Sequence, residues 1–115
     1  LFRIMAVVNQ YKFVGIDNDT TGNALNLFGT GVPKINETII IKSILVTSAS
    51  TPTVTVTNNS ITAIKTAALT ADTTTELLTQ PLIVEGNTTM TVQSSNTGSF
   101  DVAISYLNIL KEKLD

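Results

Sequence analysis

The sequence predicts an all-β fold, an antiparallel β-sandwich of the jelly-roll or Ig-like kind, in a single domain over residues 1–115. Three observations predict it. Apolar residues make up 43% of the chain and charged ones 14%, about half of the roughly 25% usual in soluble domains. Thr supplies about one residue in six, and a β-branched hydroxyl side chain suits a pleated, half-exposed sheet face. Short strand-like runs recur between clusters of Gly, Asn, Asp, Ser and Pro, as in a sandwich or barrel. A chain of this length buries roughly two-thirds of its unfolded surface, which is enough for one core.

The first strand is expected from about Ile4 to Val14, with residues 1–14 forming an N-terminal arm or edge strand. LFRIMAVV has the single charge and short apolar stretch of a signal peptide but no small-residue cleavage site after it, so it reads as strand. With Leu1 bare and Met5 close behind, the reading frame is expected to start upstream or at Met5. A loop follows at Asp17–Gly22, then Ala24–Phe28 alternates as a second strand that ends at Gly29–Pro33. The strongest strand is Glu37–Ser48. Ile39, Ile41 and Leu45 fall on one side of it and Ile40, Ile44 and Val46 on the other, which predicts that both faces are buried, by a core or by another subunit.

Pro52 opens Thr53–Thr57, with valines inward and threonines outward. Asn58-Asn59 is a turn, because Asn tolerates the left-handed conformation of hairpins, and the return strand starts at Ile61, Ala63 or Ile64. Ala67–Ala71 has helical propensity but is too short for more than a loop or one helical turn. Thr73–Leu78, Leu82–Val84 and Thr89–Gln93 read as strands, the last two separated by Glu85-Gly86-Asn87. The final strand places Phe100, Val102, Ile104 and Tyr106 on one face. Residues 108–115 read as a C-terminal extension, with Leu110–Leu114 a helical turn or a frayed end.

Several function classes are disfavoured. A net charge of −2 and a pI near 4.9, with Lys and Arg scattered singly, offer no basic stripe for phosphates, so no nucleic-acid partner is expected. The longest apolar run, Ile39–Val46, is broken by Lys42 and Ser43 and falls far short of the roughly 20 residues of a spanning helix; no membrane partner is expected. Without Cys or His there is no disulfide framework, no thiolate or imidazole metal site, and no usual nucleophile and base pair. Carboxylate chemistry remains, but a glycosidase-like pair needs two carboxylates roughly 5 to 9.5 Å apart, and nothing in the spacing selects one. No catalytic, cofactor or metal residue is assigned, and no cofactor is expected.

Asp17-Asn18-Asp19-Thr20-Thr21-Gly22 matches the first half of an EF-hand loop. The position that should supply the bidentate Glu is Phe28, so the segment reads as turn chemistry. Four Asn-x-Ser/Thr triplets, at Asn18, Asn36, Asn58 and Asn87, read as chance matches in an Asn- and Thr-rich chain. The six aromatics include no Trp to build a flat carbohydrate platform, although Tyr11 or Tyr106 could serve singly. What survives is a protein interface, because so few charges leave more apolar surface than a monomer readily hides.

The segments PLIVEGNTTMTVQSSNTGSFDVAISYLNI (81–109) and KINETIIIKSILVTSASTPTVTVT (34–57) resemble a group of short β-sandwich virion proteins of tailed bacteriophages. In that group a hydrophobic strand ends in a Glu-Gly-Asp/Asn turn, and a polar hairpin precedes a closing strand like Asp101–Leu107. The resemblance implies a non-enzymatic structural protein of the virion. Its leading form is a capsid decoration or cement protein; the alternatives are a neck or tail component or a module that adheres to host glycans. It also implies the major capsid protein or other virion subunits as partners, and assembly as a symmetric homo-oligomer such as a trimer. The expected interface residues are Val8, Tyr11, Phe13, Ile39, Ile41 and Leu45, on the N-terminal arm and the strongest strand.

Overall fold

The computed structural model describes residues 7–111, which form two antiparallel sheets. The strands are β1 (Val7–Asp19), β2 (Glu37–Ser48), β3 (Val54–Asn58), β4 (Ile61–Lys65), β5 (Thr75–Glu76), β6 (Leu82–Val84), β7 (Met90–Ser94) and β8 (Phe100–Lys111). The first sheet runs β1-β8-β2-β5, with β6 also on β2; the second runs β4-β3-β7. Leu25 adds a single bridge to Val92 on β7, donating to its carbonyl at 2.8 Å and accepting from its N–H at 3.0 Å. With that bridge counted as a strand and β5 and β6 as one interrupted strand, the chain fills eight ladder positions. The first, eighth, third and sixth make one sheet and the second, seventh, fourth and fifth the other, which is the order of a jelly roll.

The core lies between the sheets. Ile39, Ile41, Ile44 and Val46 of β2 and Phe100, Val102 and Ile104 of β8 meet Val54 and Val56 of β3 and Met90 and Val92 of β7, all buried. Each such side chain contributes about 1.5–3 kcal/mol relative to exposure. The two layers are unequal. Strands β1, β8 and β2, at 13, 12 and 12 residues, extend about 40 Å, against about 17 Å for a five-residue strand of the second sheet. The molecule is accordingly long, 60 × 22 × 22 Å, with a radius of gyration of 15.8 Å, above the roughly 13 Å of a compact chain this size.

The segment 26–36 covers the inner face that the short sheet leaves open. Phe28 packs edge-on against Tyr106, centroids 4.9 Å apart, and Asn36 exchanges two hydrogen bonds with Lys111, at 3.0 and 3.1 Å. Gly86 lets the β6–β7 turn close over this segment: a Cβ there would stand 2.5 Å from the Lys34 carbonyl oxygen. The β3–β4 hairpin turns on Asn59 and Ser60, both at positive φ (50° and 64°), as a type I′ turn requires.

The centre of β2 departs from the expected alternation. Ile41 opposes Tyr106 and Ser43 opposes Ser105, so Lys42 is an extra residue, a β-bulge. Beyond it the pleat changes phase, and Ile44, Val46 and Ser48 fall on the same face as Ile39 and Ile41. One face of β2 is therefore buried, not two; Leu45 turns outward, 38% exposed. The bulge opens the ladder on the β5–β6 side, and Glu76 fills it. Its carboxylate accepts from Ser43 Oγ and from the Ile44 N–H at 2.8 Å, while the Leu77 N–H donates to the Ile44 carbonyl at 2.9 Å.

Other expectations are corrected. Within the described residues the first strand runs on to Asp19, because it pairs with β8 as far as Phe100, so the loop expected from Asp17 begins after Asp19. Ala24–Phe28 is not a strand beyond the Leu25 bridge; Leu25, Leu27 and Phe28 pack on the core without a ladder. Thr73–Leu78 shortens to Thr75–Glu76. Residues 108–111 are not an extension but the end of β8, held between β1 and β2 by pairs such as Asn108 with Gln10 and with Ile39; residues 112–115 lie outside the described part, as do 1–6.

Replacing Lys42 by Ala removes only an exposed side chain and is expected to change stability by less than about 0.5 kcal/mol. Deleting Lys42 turns Ile44 and Val46 outward. The deletion variant is expected to lose its cooperative thermal transition by circular dichroism, and a normal melt would show that the bulge does not set the phase of β2.

Candidate interface

Opposed residues of neighbouring strands share a face, so register fixes what the long sheet presents away from the core. Tyr11, Leu107, Ile40 and Ile83 form one row across β1, β8, β2 and β6. Phe13, Ser105 and Ser43 form the next, and Gly15, Ala103 and Leu45 the one beyond. Tyr11 is 81% exposed, Phe13 69%, Ile83 53%, while Ile40 and Leu107 are half-buried between their neighbours. An antiparallel sheet with one solvated face usually turns polar side chains outward; here the outer face carries a band of aromatic and aliphatic groups, the kind of patch that marks an interaction surface.

Gly15 shapes the middle of this face. A Cβ there would lie 2.7 Å from the Val102 carbonyl oxygen, and the Phe13 ring already sits 3.3 Å from the same point. Because Gly15 and Ala103 are small, the sheet has an open hollow of about 470 Å³ lined by Phe13, Gly15, Leu45, Thr74, Asp101 and Ala103.

Two carboxylates near the band, Asp101 and Glu76, accept hydrogen bonds from the chain's own backbone. Asp101 Oδ1 accepts from the Asn18 N–H at 2.6 Å. Partial burial pushes the Glu76 carboxyl up, but hydrogen bonds from Ser43 Oγ and the Ile44 and Leu78 N–H groups outweigh it and hold the group below the usual 4.5. At one end of the inner face, Glu37 is likewise lowered: the Lys34 N–H donates to it at 2.9 Å, which outweighs its partial burial, and Asn108 Nδ2 adds a bond at 3.2 Å.

The expected interface residues separate. Tyr11 and Phe13 of β1 and Leu45 of β2 lie on the outer face and come together there. Ile39 and Ile41 are fully buried; they belong to the core, because the bulge leaves them on the inner side of β2. Val8 pairs with Leu110 through its backbone, and its side chain lies outside the described part. Ile40, Ile83 and Leu107 were not singled out, and the only signal in the sequence was their odd–even phase, readable once the bulge is known. Of the aromatics considered for a glycan, Tyr11 is free on the surface. Tyr106 is packed against Phe28, and burial together with the charge of Glu37 pushes its hydroxyl above 10.

In the Asp17–Gly22 segment Asp19 Oδ1 and Thr21 Oγ1 serve local turns, while Asp19 Oδ2 is buried without a partner. Thr21 donates to Asp19 Oδ1 through its hydroxyl at 2.8 Å, and the Asn23 N–H donates to Thr21 Oγ1 at 3.2 Å. Among the described residues, no group of three or more acidic side chains is placed to hold a metal ion.

No family model and no curated protein sequence matches this chain. In fold it is similar to a chain in the acid-stable capsid structure of Helicobacter pylori bacteriophage KHP30, at 11% identity and a TM-score of 0.55, over 96% of this chain and 99% of that one. A chain in the structure of the Gx strain of infectious bursal disease virus aligns at 11% identity and a TM-score of 0.36, over 99% of this chain and 39% of that one. At such identity the likeness to the first is one of fold.

Glu76 and Glu37 have folded-state values below their unfolded ones. The stability they contribute is therefore fully present above about pH 4.5 and is lost as pH falls through the folded values. Glu76→Gln is expected to cost about 1 kcal/mol at pH 7 and to flatten the acid limb of the stability profile, measured by urea melts from pH 7 to 3; an unchanged profile would show that Glu76 does not hold the bulge.

Proposed function

We propose that this chain is a structural subunit of a tailed-phage virion, a capsid decoration or cement protein that strengthens the shell by packing against its subunits. The observation that carries this reading is the apolar band of Tyr11, Phe13, Leu45 and Ile83, exposed among the described residues on the outer face of the long sheet. A surface of that kind gains by being covered, and side chains fixed on a hydrogen-bonded sheet lose little conformational entropy when it docks. The likeness in fold to a chain of a phage capsid supports the same reading. The partner this predicts is the major capsid protein or another shell subunit offering an apolar face, and the location is the virion.

The test is binding of the purified chain to mature shells, read as copies per particle. Exposed aromatics at the centre of an interface are common hot spots worth about 2 kcal/mol or more each. The Tyr11→Ser/Phe13→Ser double variant should keep the melting profile of the parent and bind at least about tenfold more weakly. Failure of the parent to bind in fixed stoichiometry, or equal binding by the double variant, would overturn the proposal.

A further inference from the structure

The outer edge of β1 carries backbone groups that no described strand pairs. β1 ends the order of the long sheet, and its other side is committed to β8 along Val7–Ile16. It is 13 residues long, contains no Pro, and has Asn9 to Phe13 exposed in an unbroken run. Natural edges of this length are normally shortened, kinked or guarded by charge, because a free row of N–H and C=O groups is a template for another strand. Here the only charge between Val7 and Ile16 is Lys12. Register puts it on the inner-face side, in the row of Tyr106 and Ile41, near enough to Glu37 for its charge to be felt there.

We propose that this edge pairs antiparallel with the same edge of a second copy, joining two long sheets into one across a two-fold axis. Length selects the occupant. The opposite edge of the same sheet is broken into β5 and β6, of two and three residues, with Pro81 between them. In the second sheet β4 offers five residues, and Leu25 already bridges to β7. Among the described edge strands, only another β1 matches β1 in length. An axis at Phe13 opposes residue pairs symmetrically. Phe13 meets Phe13 of the copy, Lys12 meets Val14, and Tyr11 meets Gly15, the aromatic-over-glycine pairing that covers bare backbone in sheets. An axis one residue earlier sets lysine against lysine, which disfavours it. The ladder forms through edge backbone groups; Phe13 and Tyr11 also belong to the outer band of the shell reading, and amide exchange at the β1 edge of the isolated chain tests the pairing independently of shell binding.

Amide exchange followed against concentration, with mass by light scattering, tests this on the full chain. As the mass doubles, the alternate β1 amides that face the open edge should slow by at least tenfold, while the other β1 amides, already bonded to β8, should not change. Phe13→Lys brings lysines together at the axis and should return the protein to a monomer with an unaltered melt. Ile83→Lys, on the outer face but three strands away, should leave the pair intact. A monomer at all concentrations up to millimolar would overturn the proposal. So would a dimer whose edge amides stay open, or one that Ile83→Lys dissolves and Phe13→Lys does not. If Phe13→Lys fails to fold, the exchange pattern of the parent decides alone.

Discussion

The extra residue in β2 governs the long sheet. A strand with period 2 cannot keep Ile39, Ile41, Ile44 and Val46 on one face unless the pleat slips once between them, and the bulge at Lys42 supplies that slip. The cost is an interrupted ladder in the middle of a central strand. Glu76 meets it with its carboxylate, taking the N–H that a regular partner strand would have accepted. This also explains why β5 and β6 are two short strands instead of one: they pair with β2 at Leu45–Val46 and Ile39–Ile41, on either side of the bulge.

The inequality of the two layers follows from where the apolar residues fall. Phe100, Val102 and Ile104 and their partners on β2 face the short sheet, and beyond them Tyr106, Asn108 and Glu37 meet the segment 26–36 instead of a strand. A loop can cover that end because its groups are mixed. Asn108 bonds Glu37, Asn36 bonds Lys111, and Phe28 covers Tyr106, so these groups keep partners on burial, while Asn26 Oδ1 is buried without one. Sandwich covering on the inner side leaves the outer face of the same strands with no layer of its own among the described residues.

Polar side chains throughout act as surrogates for backbone partners. Ser48 Oγ donates to the Ser99 carbonyl at 2.6 Å and accepts from the Ser50 N–H at 3.1 Å. Glu37, Glu76 and Asp101 each accept from a main-chain N–H. Glu37 and Glu76, held below the usual carboxylate range by these bonds, are ionised anchors for a strand end and an irregularity, a task unlike proton transfer at neutral pH.

The sequence by itself determined the fold class, the bounds of Glu37–Ser48 and Leu82–Val84, and the Asn-led hairpin, because alternation and turn chemistry are local properties written in neighbouring residues. It also exposed the surplus of apolar side chains, which composition alone reveals. Only the tertiary structure decided which of them are free. Ile41 and Leu45 are four residues apart and look alike in a period of two, yet one is sealed in the core and the other faces outward, since the slip at Lys42 is forced by Ser105 and Tyr106 on β8. The same long-range pairing drew residues 108–111 into the sheet and left Ala24–Phe28 with one bridge: a ladder needs a partner edge, and where that edge lies is settled by contacts far apart in the chain.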